Sequence, residues 1–180
     1  MRGIIFNMVE DAVTADHGAA AWDEVLTSAG VEGAWTALGC YPSSQLVRVI
    51  HAGSERLGID PDDLTRRLGA SALLGLADRY PHYFEPFTST RPFLLTLNAV
   101  IHPEVRKVRA HGNPPEFWFE QREPGGLVVH YRSERRLCAL AEGMIAGASA
   151  YFGERAELSQ TRCVRDGADH CVIDADFVAA

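Results

Sequence analysis

The sequence has no apolar run approaching the roughly 18–20 residues a membrane span requires, so no transmembrane helix is expected. Positive charge is also in short supply. With 17 Lys and Arg against 24 Asp and Glu the net charge is −7, whereas nucleic-acid binders usually present a basic face, and nucleic acid is not an expected partner. The start, Met1-Arg2-Gly3-Ile4-Ile5-Phe6, carries one basic side chain and a short apolar run interrupted by Asn7 and ended by Glu10 and Asp11. A secretory leader is therefore not expected, and the cytoplasm is the default location. There is no nucleophile elbow, phosphate-binding glycine loop or pair of catalytic carboxylates, so the chain is not expected to be an enzyme. Internal repeats, low-complexity tracts and linkers are missing as well. At 180 residues, 47% hydrophobic and 23% charged, the composition suits one globular domain with a well-buried core.

Cysteine occurs only four times. In a reducing compartment so few thiols point to metal binding or redox chemistry sooner than to a disulfide framework. Cys40 stands alone and reads as a small apolar residue, whereas Cys138, Cys163 and Cys171 all lie toward the C-terminus.

What is present first is helical periodicity. Residues 3 to 15 place Ile4, Ile5, Met8, Val9, Ala12 and Val13 at helical spacing, and residues 19 to 29 do the same with Trp22, Val25 and Leu26 before the stop signal Gly30. A third helix is expected from a cap at Ser43 or Ser44 to Leu57, ahead of Gly58. A fourth opens at Asp60-Pro61-Asp62-Asp63, with proline in the first turn and carboxylates at the positive helix end, and runs to about Tyr80. An aromatic loop, 81–86, leads to a helical segment after Pro92 that contains His102.

The pattern then changes. Gly112-Asn113-Pro114-Pro115 is a breaker, and strands are predicted at 117–119 and 127–131, joined across 123–126. A long helix is expected over 136–152, then strands at 156–164 and 171–177 turning on Asp166-Gly167. The predicted fold class is α+β: a helical N-terminal part followed by a four-stranded antiparallel sheet with a long helix between its hairpins.

Two features carry chemistry. His102 sits in the apolar stretch Leu94-Leu95-Thr96-Leu97-Asn98-Ala99-Val100-Ile101 and is followed by Pro103, which restricts its backbone and disturbs a continuing helix. A neutral imidazole there can ligate iron; taken alone, the residue is the more ordinary core histidine bonded to a carbonyl. In Tyr131-Arg132-Ser133-Glu134-Arg135, the side-chain period of two would put Tyr131, Ser133 and Arg135 on one strand face. Two hydroxyls and a guanidinium suit a pair of carboxylates, although the same trio can be a solvated strand edge.

A histidine 29 residues before a Tyr-x-Ser-x-Arg trio resembles the signature of the H-NOX family, the heme-nitric oxide/oxygen binding domains related to the heme domain of soluble guanylate cyclase. The resemblance covers nearly the whole chain. It implies an H-NOX fold with an N-terminal helical subdomain of about residues 1–65 and a heme-ligating subdomain of about 66–180. It also implies heme b as cofactor, His102 as the iron ligand, and Tyr131, Ser133 and Arg135 on the heme propionates. Pro115 would correspond to the family proline that presses on the heme, or else simply stiffens a loop. Members that hold oxygen use a tyrosine nine residues after the trio's tyrosine, where this sequence has Leu140. With Ile5, Val9 and Leu74 it would form an apolar distal wall lacking a donor, or ordinary core. The implied ligand is NO, with CO as a laboratory ligand and oxygen excluded. The resemblance further implies that NO weakens the iron–histidine bond and that a separate effector, a histidine kinase or a cyclic-di-GMP enzyme, reads the change.

Some members of the family carry three cysteines and a histidine that bind zinc near Cys138, Cys163 and Cys171. Here Gln160 stands where that histidine is expected, and His170 is the candidate substitute. Zinc is thus a second candidate metal, and reversible disulfide formation or a thiol-based redox sensor the alternative. The other histidines, His17, His51, His82, His111 and His130, read as scattered surface residues that form no metal set.

Overall fold

The computed structural model describes residues 1–103 and 115–180; the predicted breaker at 112–114, His111 and the chain just beyond Pro103 lie outside the described residues. Four helices open the chain: α1 (Gly3–His17), α2 (Ala19–Ala29), α3 (Ser43–Leu57) and α4 (Pro61–Arg79). Gly30 and Gly58 end α2 and α3 in the left-handed conformation, at φ 61° and 64°, where a side chain would be strained. Asp60 caps α4 as its sequence predicts, accepting from the backbone N–H groups of Asp62 and Asp63. The cap of α3 differs: Pro42 occupies the N-cap and both serines lie inside the helix.

A short α5 (Thr90–Leu95) follows, then strands β1 (Glu116–Arg122) and β2 (Gly126–Arg132), helix α6 (Cys138–Tyr151), and strands β3 (Glu154–Arg162) and β4 (Cys171–Ala179). The sheet is antiparallel throughout, in the order β1-β2-β4-β3. Its inner face, with Leu127, Val129, Ile173 and Ala175 fully buried, packs on α6 and the ends of α4 and α5. Phe6, Val9, Trp22, Leu46 and Leu68 gather the N-terminal helices around a second apolar cluster, which Leu140 of α6 joins. No helix among the described residues is long and apolar enough to cross a membrane.

The seam between α4 and α6 connects the two clusters, and it closes because glycines line it. A methyl group on Gly69 would stand 2.7 Å from the Leu140 carbonyl oxygen, and one on Gly143 or Gly147 would collide with the backbone of Arg66 or Ala70. Small residues thus let the helix axes approach until backbone meets backbone. Across this seam Arg66 Nε donates to Glu142 Oε2 at 2.6 Å, with the Glu142 side chain only 7% exposed.

Candidate functional site

His102 does not continue a regular helix. After α5 the backbone widens into a π turn, Leu97–Ile101, closed by the His102 N–H donating to the Leu97 carbonyl. Pro103 gives the physical reason: it has no N–H to return to residue 99, and its ring would crowd that carbonyl, so the turn upstream opens. Such wide turns recur at functional positions. Two contacts tie this turn to β1. The Asn98 side chain donates to the Phe117 carbonyl, and the His102 imidazole lies against the Phe117 ring, centroids 5.6 Å apart.

Phe117 in turn packs on Tyr131, its cross-strand partner, at 5.3 Å. The structure therefore brings His102 and Tyr131 into contact with one phenylalanine. Tyr131 is buried, and loss of solvent pushes its phenol up to about 12 against the opposing Ser133 hydroxyl, so it remains an O–H donor at physiological pH.

The remainder of the trio corrects the strand expectation. β2 stops at Arg132; Ser133 and Arg135 lie in a turn, where the Arg135 N–H donates to Ser133 Oγ at 3.3 Å and the Arg136 N–H to the Ser133 carbonyl at 3.1 Å. Arg136 closes that turn at φ 53°, left-handed for a non-glycine residue, a kind of strain that collects at binding sites. The turn, and no strand period, is what gathers the donors. Ser133 and Arg135 line a cavity of about 510 Å³ together with Ser43, Glu116, Arg132 and Glu134. His102 and Tyr131 do not line this cavity; by residue type, an imidazole together with two hydroxyls and a guanidinium suits a flat metal chelate bearing carboxylates.

Pro115 is half-buried at the edge of β1. Val9 and Leu140 are buried, with Ile5 packed on the same cluster, whereas Leu74 is 39% exposed and belongs to neither apolar cluster. A second cavity, about 450 Å³, lies among the N-terminal helices behind Val9, lined by Val13, Val25, Leu64 and Leu68, with His17 and Arg56 also on its wall.

The three C-terminal thiols come together. Cys138 and Cys163 Sγ are 3.6 Å apart, Cys163 and Cys171 4.0 Å, and all three lie within 4.8 Å of one another and are buried. Sulfurs at about 2.3 Å from one tetrahedral zinc would stand roughly 3.8 Å apart, so the spacing suits three ligands. Gln160 stands beside Cys138, while the candidate fourth ligand His170 is turned away, its ring nitrogens facing His130 and Asp169. Burial raises the Cys138 thiol and pushes Cys171 up to about 12. Burial would raise Cys163 also, but the Arg165 N–H, at 3.4 Å, and guanidinium outweigh it and hold this thiol low. Of the three thiols it is the one whose ionisation is eased.

Arg165, Phe117 and Asn98 were not legible as site residues in the sequence. Arg165 also grips Asp62 at the start of α4 through two nitrogens, at 2.7 and 2.5 Å. That guanidinium holds the Asp62 carboxyl below the usual carboxylate range, against a smaller opposing effect of burial. A depressed folded value means the pair stabilises the fold above about pH 4 and loses its contribution as pH falls through the folded value. Urea midpoints measured from pH 6 to pH 3 should fall more steeply for the wild type than for Arg165→Gln; equal slopes would remove the pair from the acid response.

Comparison with known proteins follows the same lines. The family described as haem-NO-binding matches residues 2–160. No curated protein matches the sequence. Among solved structures, an H-NOX protein from S. oneidensis in the Fe(II)NO ligation state is 29% identical with a TM-score of 0.90, over 98% of this chain and 99% of that one. The H-NOX domain from Shewanella oneidensis in the Fe(II)CO ligation state, solved by NMR, is also 29% identical, with a TM-score of 0.88 over 98% of each chain. The fold is shared with an Fe(II) unliganded H-NOX protein from K. algicida, 24% identical, TM-score 0.86, covering 100% of this chain and 98% of that one.

Proposed function

The chain belongs to the haem-NO-binding, or H-NOX, family of heme-based gas sensors, and from that premise we propose that it senses nitric oxide and signals to a separate effector protein. The observation that carries the reading is the ring path from His102 through Phe117 to Tyr131, which joins a potential iron ligand to a potential carboxylate-binding trio. His102 would be the protein's iron ligand; Tyr131, Ser133 and Arg135 would hold the propionates, the phenol and hydroxyl as donors and the guanidinium as counter-charge. Bound there, heme b would supply a ferrous iron able to take a diatomic gas.

Selectivity belongs to the wall. Stable retention of oxygen benefits from a hydrogen-bond donor in the distal pocket, whereas NO and CO need one much less. Ile5, Val9, Leu74 and Leu140 offer none. Pro115, at the edge of β1, would press on the heme. The signal would leave through the backbone: the π turn that carries His102 is pinned to β1 by Asn98 and Phe117, so a change in the imidazole's position is passed to the sheet. The part from about residue 66 onward would then shift against the first 65 residues. Any such shift draws its free energy from tighter NO binding to one arrangement.

The test is an absorbance spectrum of the purified protein. A Soret band that moves on adding NO or CO, and a ferrous spectrum that air leaves without a stable oxygen complex, are expected. Failure to take up heme defeats the reading, and a stable oxygen complex defeats the selectivity.

The clustered thiols favour a second reading, a zinc or thiol redox site at Cys138, Cys163 and Cys171. Metal content together with thiol titration before and after peroxide distinguishes zinc from a disulfide, and neither outcome requires heme.

A further inference from the structure

His130 and His170, 40 residues apart in sequence, meet on the outer face of the sheet. This overturns the reading of His130 as an isolated surface histidine: it is buried, 9% exposed, between its neighbours across the sheet. The separation in sequence hid the pair, because β4 is brought beside β2 only by the antiparallel pairing of Tyr131 with Cys171, the residue after His170. His130 Nδ1 and His170 Nε2 face each other at 3.1 Å. Each ring's other nitrogen is taken by a carboxylate: His130 Nε2 by Glu120 Oε1 at 3.1 Å, and His170 Nδ1 by Asp169 Oδ1 at 2.8 Å. Arg162 donates to the same Asp169 Oδ1 at 3.3 Å.

We propose that His130 and His170 chelate one divalent transition ion of the zinc, nickel and copper class, at a site separate from the thiols and from the candidate heme site. Three observations carry this. A carboxylate beside each outer nitrogen favours the tautomers in which the outer N–H groups donate to Glu120 and Asp169 and the inner nitrogens carry lone pairs, so that a cation, a shared proton or a metal ion, is what belongs between them. Two nitrogens at about 2.0–2.1 Å from one ion, with an angle between square and tetrahedral, stand roughly 2.9–3.4 Å apart, and 3.1 Å falls in that interval. Lastly, a carboxylate holding the far nitrogen of each imidazole is the arrangement that orients histidines as metal ligands and raises their basicity.

The rings are also held in place. Trp118 stacks on His130 at 5.1 Å and 6°, lies 4.8 Å from His170, and has Arg132 over its ring at 5.8 Å. The histidine side chains remain 11% and 14% exposed, so water can reach the edge between them and complete the coordination.

The experiment titrates zinc into the purified full chain and follows the histidine side-chain nitrogens by NMR, which reads this site even if the thiols also take zinc. His130 Nδ1 and His170 Nε2 should shift together and saturably. His170→Gln should raise the zinc concentration needed at His130 at least tenfold. Asp169→Asn, which keeps both ligands, should raise it by about ten- to a hundredfold, the usual effect of losing a ligand's orienting partner. Nitrogens that ignore excess zinc, leaving an imidazole–imidazole hydrogen bond only, overturn the proposal, as does equal zinc affinity in the wild type and whichever of the two variants folds.

Discussion

Replacing His102 with glycine should give a protein that folds but is purified without heme, and that regains a Soret band when imidazole is supplied. The fold should survive because the turn that carries the imidazole stays tied to β1 by the Asn98 side chain. Glycine in a helical turn costs only about 1 kcal/mol through backbone entropy. Heme retention is another matter, since the proposed site has one iron ligand and the trio around Tyr131 supplies only hydrogen bonds and charge. Free imidazole fills the space the side chain vacates and offers iron the same nitrogen. The measurement is the ratio of Soret to protein absorbance with and without imidazole, with circular dichroism confirming the fold. Cys163→Ala, at the separate thiol cluster, should keep its heme. A His102→Gly protein that retains full heme without imidazole would remove the histidine from the site.

Much of this architecture could be read in the sequence where local chemistry decides the outcome. Helices 19–29 and 43–57 end where predicted because glycine alone adopts the left-handed conformation cheaply, and Gly30 and Gly58 do so. The strand pairs around 123–126 and 163–170 follow from alternation between breakers. The site was legible only in part. Residue types and spacing marked His102 and the trio, but the period-two expectation for Tyr131, Ser133 and Arg135 failed because β2 ends at Arg132 and a turn closed by Arg136 at φ 53° takes over. No local rule announces that turn. Nor does any local rule announce the π turn before His102, which needs both Pro103 and the anchor from Asn98 to a strand 19 residues away. Contacts that depend on the register of distant strands, His130 with His170 above all, have no signature in a single sequence.

The largest stability effect is expected at the seam between α4 and α6. Arg66→Met should destabilise the protein by about 2 kcal/mol: it leaves the buried Glu142 carboxylate without its partner, an effect moderated by solvent around the Arg66 side chain, which is 40% exposed. Glu142 is 5% exposed and Arg66 Nε reaches it at 2.6 Å. The second partner of Arg66, Asp63 at 2.8 Å, is 60% exposed, and a pair of that kind contributes little. At roughly 2–4 °C per kcal/mol for a domain of this size, the melting temperature should fall by about 4–8 °C. The loss should be recovered in good part by adding Glu142→Met, which removes the stranded carboxylate and keeps the volume apolar. Thermal melts of the wild type, both single variants and the double variant form the cycle; a single variant within about 0.5 kcal/mol of wild type would show the pair to be solvated. The seam has functional weight too. Leu74 lies on α4 and Leu140 on α6, so the proposed apolar wall keeps its shape only while these helices stay in contact, and the gas selectivity of Arg66→Met should degrade with its stability while that of the double variant is restored.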